Sequence, residues 1–173
     1  MIKVLLTGDS LVADHNWQKR LKGYDVNNLG MAGAVTNDLL SLIPLIKKRS
    51  PGADIIMVMI GTNDMLCGNI AFTTFLKEIL VKLHNQYPMA EILVNSLFPM
   101  SLPHLPEDII RDVNRRIKEI AIKTGSCFLD IHQRVLLSDK TIFQEDGVHL
   151  TENAYEIWDR MLIEHIAFLI EDD

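Results

Sequence analysis

The sequence predicts an α/β protein, a three-layer α/β/α sandwich built on a five-stranded parallel sheet with flavodoxin-like strand order. Three observations point there. Short β-rich apolar runs alternate along the chain with longer stretches whose apolar residues recur every three or four positions, which is the βαβ pattern. One run, Ile55-Ile56-Met57-Val58-Met59-Ile60, is apolar throughout, as a central parallel strand covered on both faces must be. The chain of 173 residues, 48% hydrophobic and 23% charged, suits one domain spanning 1–173 with a single sizeable core.

In chain order, strands are expected at 2–7, 25–29, 55–60, 91–95 and 126–129. The helix over 70–87 carries Phe75, Leu76, Ile79, Leu80 and Leu83 on one face, and the helix over 107–123 carries Ile110, Val113, Ile117 and Ile120. The last helix, 152–170, has Thr151 as its N-cap and buries Tyr155, Trp158, Leu162, Ile166 and Leu169. Residues 36–49 are helical in pattern, with Pro44 expected to kink or split them. A weaker pattern marks a short helix near 15–22.

Composition removes several classes of function. Seventeen basic residues stand against 23 acidic ones, for a net charge of -6, and the longest basic run is Lys47-Lys48-Arg49. Nucleic acid and anionic membrane surfaces both need a basic stripe, so neither is expected as a partner. The apolar run Ile2 to Leu6 is too short for a signal peptide core, and no apolar stretch reaches the roughly 18 residues that span a bilayer. A soluble, cytoplasmic protein without stable membrane insertion is the expectation. Cys67 and Cys127 lack C-x-x-C spacing and read as buried reduced thiols.

In a parallel sheet of this kind ligands bind at the carboxyl ends of the strands, so the polar residues just after each strand matter most. After the first comes Thr7-Gly8-Asp9-Ser10-Leu11, after the second Asn28-Leu29-Gly30-Met31-Ala32-Gly33, and after the third Gly61-Thr62-Asn63-Asp64. Asp146-Gly147-Val148-His149 precedes the last helix. Each alone is ordinary turn and cap chemistry. Together they supply every part that acyl transfer requires. Ser10 is a nucleophile that needs a base, and His149 provides one. Asp146, three residues earlier, can reach the imidazole N–H, fix its tautomer and stabilise the imidazolium. The backbone N–H groups of Ser10 and Gly30 and the side-chain amide of Asn63 can then form an oxyanion hole.

These residues resemble the SGNH hydrolases, the GDSL-type lipase and acylhydrolase superfamily. The Gly-Asp-Ser-Leu signature stands at Gly8 to Leu11, the Asn-x-Gly block at Asn28 to Gly30, Gly-Thr-Asn-Asp at Gly61 to Asp64 and Asp-x-x-His at Asp146 to His149, all in the family order. The resemblance implies Ser10 as nucleophile, Gly30 and Asn63 as oxyanion donors, His149 as general base and Asp146 as its orienting acid, with no metal and no organic cofactor.

The neighbouring residues receive simpler roles. Asp9 and Asp64 are expected to hold loop N–H groups rather than a metal. Asp130 and His132 form a rival acid and base pair, although their one-residue gap suits shared work poorly. The Pro-punctuated loop 96–106, which contains His104, and Met65, Leu66 and Cys67 opposite are candidate walls of a modest apolar acyl pocket. The predicted function is a serine esterase acting on small carboxylic esters with short acyl or acetyl groups. A carbohydrate- or lipid-binding module on the same fold and a flavodoxin-like phosphate or flavin binder are the rivals. Exposed apolar residues on the last helix would suit a homodimer.

Overall fold

The computed structural model describes residues 1–100 and 102–171. Five parallel strands, β1 (Lys3–Gly8), β2 (Asp25–Asn28), β3 (Ile55–Met59), β4 (Glu91–Asn95) and β5 (Cys127–Leu129), form one sheet in the order β2-β1-β3-β4-β5. This is the expected flavodoxin-like order. β3 is central, and all five of its residues are buried. β2, at one edge, is only partly covered, which is why its sequence is polar.

The helices are α1 (Ser10–Ala13), α2 (Trp17–Arg20), α3 (Thr36–Arg49), α4 (Thr62–Leu66), α5 (Thr73–Gln86), α6 (Glu107–Thr124), α7 (Ile131–Leu136) and α8 (Glu152–Glu171). The predicted stripes of α5, α6 and α8 face the core, with Phe75 at the margin of its stripe at 36% exposed. Thr151 caps α8 as expected, its Oγ1 accepting the Ala154 N–H at 3.3 Å. Pro44 does not split α3, which runs through it unbroken. Its ring lies on the exposed face of the helix, where water can take up the Leu40 carbonyl that Pro44 leaves without a donor. No helix among the described residues is long and apolar enough to cross a membrane.

Topology decides where the chemistry can sit. The chain leaves β1 toward β2 on one side and later returns to place β3 on the other, so a crevice opens beyond the carboxyl ends of β1 and β3. Ser10 follows β1 and Asn63 follows β3. The two sequence blocks, 53 positions apart in number, are therefore neighbours at one sheet end.

Candidate active site

Ser10 is the first residue of α1, and the residue before it shapes the turn. Asp9 is the N-cap: its Oδ1 accepts the Leu11 N–H at 3.0 Å and its own N–H donates to the Met59 carbonyl at 3.3 Å. The nucleophile loop is thereby pinned to the end of β3. Asp9 is completely buried. Burial pushes its carboxyl up to about 6, against the pull of the Leu11 N–H and the neighbouring Thr62. Its Oδ2 and the Thr62 Oγ1 are both buried without a partner in hydrogen-bond geometry.

The acid and base stand on the loop between α7 and α8. An antiparallel bridge between Phe143 and Leu150 closes this loop, and the Gln144 N–H bonds the His149 carbonyl at 2.8 Å. Inside it, Asp146 Oδ1 accepts the N–H groups of Val148 and His149, both at 2.9 Å, while Oδ2 meets His149 Nδ1 at 2.5 Å. The imidazole bond, followed by the two backbone bonds, holds the Asp146 carboxyl down to about 2. An ionised carboxylate at Nδ1 assigns the proton to that nitrogen and leaves Nε2 as the free base. Both side chains are roughly half exposed, so this dyad works in an open site.

Asn63 lies in the first turn of α4 and donates Nδ2 to the Ala34 carbonyl at 2.9 Å. A primary amide has two N–H bonds, and one remains. Asp64 beside it fastens the frame: Oδ2 accepts from Thr36 N at 2.8 Å and Thr36 Oγ1 at 2.7 Å, and Oδ1 accepts from Asn69 Nδ2 at 3.1 Å. This is the loop-holding role expected of it.

Gly30 is where the expected site needs correction. Its N–H donates to Asn28 Oδ1 at 3.0 Å and so is not free for an oxyanion. The residue is glycine for space: a Cβ there would lie 2.6 Å from the Ala13 nitrogen, in the backbone of α1. Gly33 has the properties expected of Gly30. It adopts φ +74 at the third position of a turn closed by Ala34 N–H to Met31 O at 3.2 Å, and among the described residues nothing accepts its N–H. It also adjoins Ala34, whose carbonyl orients Asn63. The sequence signal was a second glycine three residues along, between Ala32 and Ala34, a residue type suited to the positive φ found there.

The rival pair does not assemble. Asp130 Oδ1 caps α7 at 3.0 Å from the Gln133 N–H, whereas His132 is buried with Nδ1 3.2 Å from Asn114 Nδ2. Burial also lowers the His132 pKa. Met65 lies in the core rather than on a pocket wall, and Leu97, Phe98 and Met100 of the Pro-rich loop are buried, with His104 at the surface. Ser101 of that loop lies outside the described residues. Two cavities flank the candidate residues. One of about 420 Å³ is lined by Met31, Ala32, Gly33, Ala34 and Leu42 among others, and one of about 510 Å³ by Pro99, Leu136, Ile142, Phe143 and Gly147 among others.

A family model described as GDSL-like lipase/acylhydrolase matches residues 7–157. No curated protein matches the sequence. Among solved structures, a lipase/acylhydrolase from Enterococcus faecalis is similar at 21% identity and a TM-score of 0.80, covering 96% of this chain and 95% of its own. An acetylxylan esterase from Geobacillus stearothermophilus is similar at 17% identity and 0.79, covering 95% and 94%. A carbohydrate acetylesterase from Sinorhizobium meliloti gives 16% and 0.81, covering 98% and 100%. At these identities the likeness speaks for the fold.

Proposed function

We propose, from the premise that this chain belongs to the GDSL-like lipase/acylhydrolase family and is a hydrolase, that it is a serine esterase cleaving small carboxylic esters with short acyl groups. The observation that carries this reading is the Asp146–His149 dyad, whose carboxylate is locked by two backbone N–H groups and bonded to Nδ1. Such a dyad serves to keep Nε2 basic and aimed.

In this reading Ser10 Oγ attacks the ester carbonyl carbon while its proton passes to His149 Nε2. The carbonyl oxygen gains the electron pair and is received by the N–H groups of Ser10 and Gly33 and the second N–H of Asn63. The tetrahedral intermediate collapses, the alcohol leaves with the proton from His149, and an acyl group stays on Ser10. Water then repeats the sequence with His149 as base, releasing the acid. No step needs a metal or an organic cofactor.

Three neighbours in fold act, by their descriptions, on esters, and two of these on acetyl groups of carbohydrates. An open dyad beside cavities of a few hundred cubic ångströms suits the same small acyl groups. We read residues 1–173 as one catalytic domain. Cys67 is exposed and Cys127 partly buried, so they are not the buried thiols expected; both are free, which suits a reducing compartment, and we read the protein as cytoplasmic.

The test is a ladder of chromogenic esters from acetyl to long-chain, with Ser10→Ala as the paired control. Turnover that needs Ser10 and peaks at short chains is expected. Equal rates for Ser10→Ala, or no turnover of any ester together with no covalent labelling by an organophosphonate, would overturn the reading.

A further inference from the structure

The helix that carries Ser10 cannot hold itself in place. α1 is a single turn, closed by Ala13 N–H to the Asp9 carbonyl at 3.0 Å and Asp14 N–H to the Ser10 carbonyl at 2.9 Å, and one turn does not repay the entropy of ordering it. Its next carbonyls would be orphans. Each is taken instead by a side chain from another element. Val12 O accepts Trp17 Nε1 at 2.8 Å and Asn28 Nδ2 at 3.0 Å, and Leu11 O accepts the Tyr155 hydroxyl at 2.9 Å.

The Tyr155 bond differs in kind from the other two. Trp17 and Asn28 come from the same stretch of chain as Ser10, whereas Tyr155 is 144 residues beyond Leu11 and six beyond His149. It stands on the first turn and a half of α8, where its N–H bonds the Thr151 carbonyl at 3.1 Å. That start of α8 continues the loop that holds the Asp146–His149 dyad. One buried hydrogen bond thus joins the segment bearing the base to the helix bearing the nucleophile.

The ring that presents this hydroxyl is itself fixed. It stacks on His15 with centroids 4.2 Å apart and planes 5° from parallel. His15 Nε2 in turn lies 2.9 and 3.1 Å from the two carboxylate oxygens of buried Asp159, which also faces Arg20 Nε at 3.5 Å. Asp159 is four residues after Tyr155, one turn along α8, so the support comes from the same helix. Burial raises the Tyr155 pKa, and the hydroxyl remains a donor at any pH where an esterase would be assayed.

We propose that Tyr155 is a positioning residue, which sets the separation of Ser10 Oγ from His149 Nε2 by tying α8 to the Leu11 carbonyl. This rests on the esterase reading of the same site. Tyr155→Phe removes the hydroxyl and keeps the ring stack. Because proton transfer from Ser10 depends on that separation while substrate binding does not, kcat should fall about 10- to 100-fold, with KM within about twofold. The rate at which an organophosphonate labels Ser10 should fall in parallel, since it uses the same activated hydroxyl.

Trp17→Phe is the comparison, because it removes the Trp17 bond to Val12 O, keeps an aromatic ring against His15 and Trp158, and leaves the Tyr155 hydroxyl on Leu11 O and Asn28 on Val12 O. It should keep kcat and the labelling rate within about threefold of the wild type, below the loss expected at Tyr155. Equal losses in the two variants would reduce Tyr155 to general support of α1 and overturn the inference. So would Tyr155→Phe with wild-type kcat and labelling. If Tyr155→Phe does not fold, Asp159→Asn, which frees His15 from behind the ring, is read by the same split between kcat and KM. A wild type that neither hydrolyses esters nor labels would sink the esterase reading and this inference with it, whereas an active wild type matched by Tyr155→Phe would sink this inference alone.

Discussion

Asp9→Asn should make the protein more stable at neutral pH, by an amount that vanishes in acid. The wild-type carboxyl is fully buried, and burial raises it from 3.8 to about 6. Two units correspond to roughly 3 kcal/mol at about 1.4 kcal/mol per unit. Between these two values the folded protein keeps a proton that the unfolded chain has lost, so the Asp9 contribution to stability is greatest below pH 4 and is lost as pH rises through 6. Integrated between pH 4 and pH 8, the loss is roughly 2.5 kcal/mol. Asparagine keeps the oxygen that caps Leu11, is neutral at every pH, and offers an N–H to the partnerless Thr62 Oγ1. Urea titrations of both proteins at pH 4 and pH 8 read the effect directly. The variant should lie close to the wild type at pH 4 and about 2 kcal/mol above it at pH 8. A difference that is the same at both pH values would refute burial as the source of the shift, and a less stable variant at pH 8 would show that the ionised carboxylate is worth more to the turn than its desolvation costs.

The other expectations concern the reaction. Asn63→Ala should lower kcat about 10²- to 10³-fold with little change in KM, and a normal kcat in a folded variant would remove Asn63 from the oxyanion hole. Gly30→Ala should lower the melting temperature, because its Cβ would meet the Ala13 backbone at 2.6 Å, whereas Gly33→Ala has open space and should cost only about 1 kcal/mol for its positive φ. If thermal melting gave the opposite order, contact with the Ala13 backbone would not be what requires glycine at position 30. In a pH profile, Asp146 should contribute no ionisation to the acid limb of kcat/KM above about pH 4, since it is held near 2. An ionisation in that range that disappears in Asp146→Asn would contradict that assignment.

Much of the fold was legible because its signals are local. The continuous apolar run at β3, the periodic stripes of α5, α6 and α8 and the Thr151 cap each follow from side chains a few residues apart. The short helices α1, α4 and α7 were not legible, since none is long enough to display a period. They exist because distant groups hold their ends: Tyr155 and Asn28 at α1 are examples, and neither carries a mark in the sequence that names its partner. Of the two outcomes expected at Pro44, a kink or a split, the split does not occur, for a related reason. Whether proline breaks a helix depends on what meets the freed carbonyl, and on the exposed face of α3 water can meet it.

The candidate site divides in the same way. Asp146 and His149 are three residues apart, so a tight loop brings them together almost unaided, and their bond could be foreseen. Two of the three proposed oxyanion donors are backbone groups, and whether an N–H is free depends on what its neighbours accept. Gly30 and Gly33 carry the same letter in the sequence. Asn28 separates them, by spending its amide N–H on α1 and its oxygen on Gly30. Asn63 makes the same distinction from the other side of the crevice, because its bond to Ala34 O brings its amide beside Gly33. If the two amides were exchanged for carboxylates, each acceptor would lose its donor. Asn28→Asp would place charge near the Val12 carbonyl and free α1 to shift, and Asn63→Asp would set a negative charge where negative charge develops in the transition state. Asn63→Asp should therefore be slower than Asn63→Ala, and a rate equal to or above that of Asn63→Ala would mean that the oxyanion forms elsewhere.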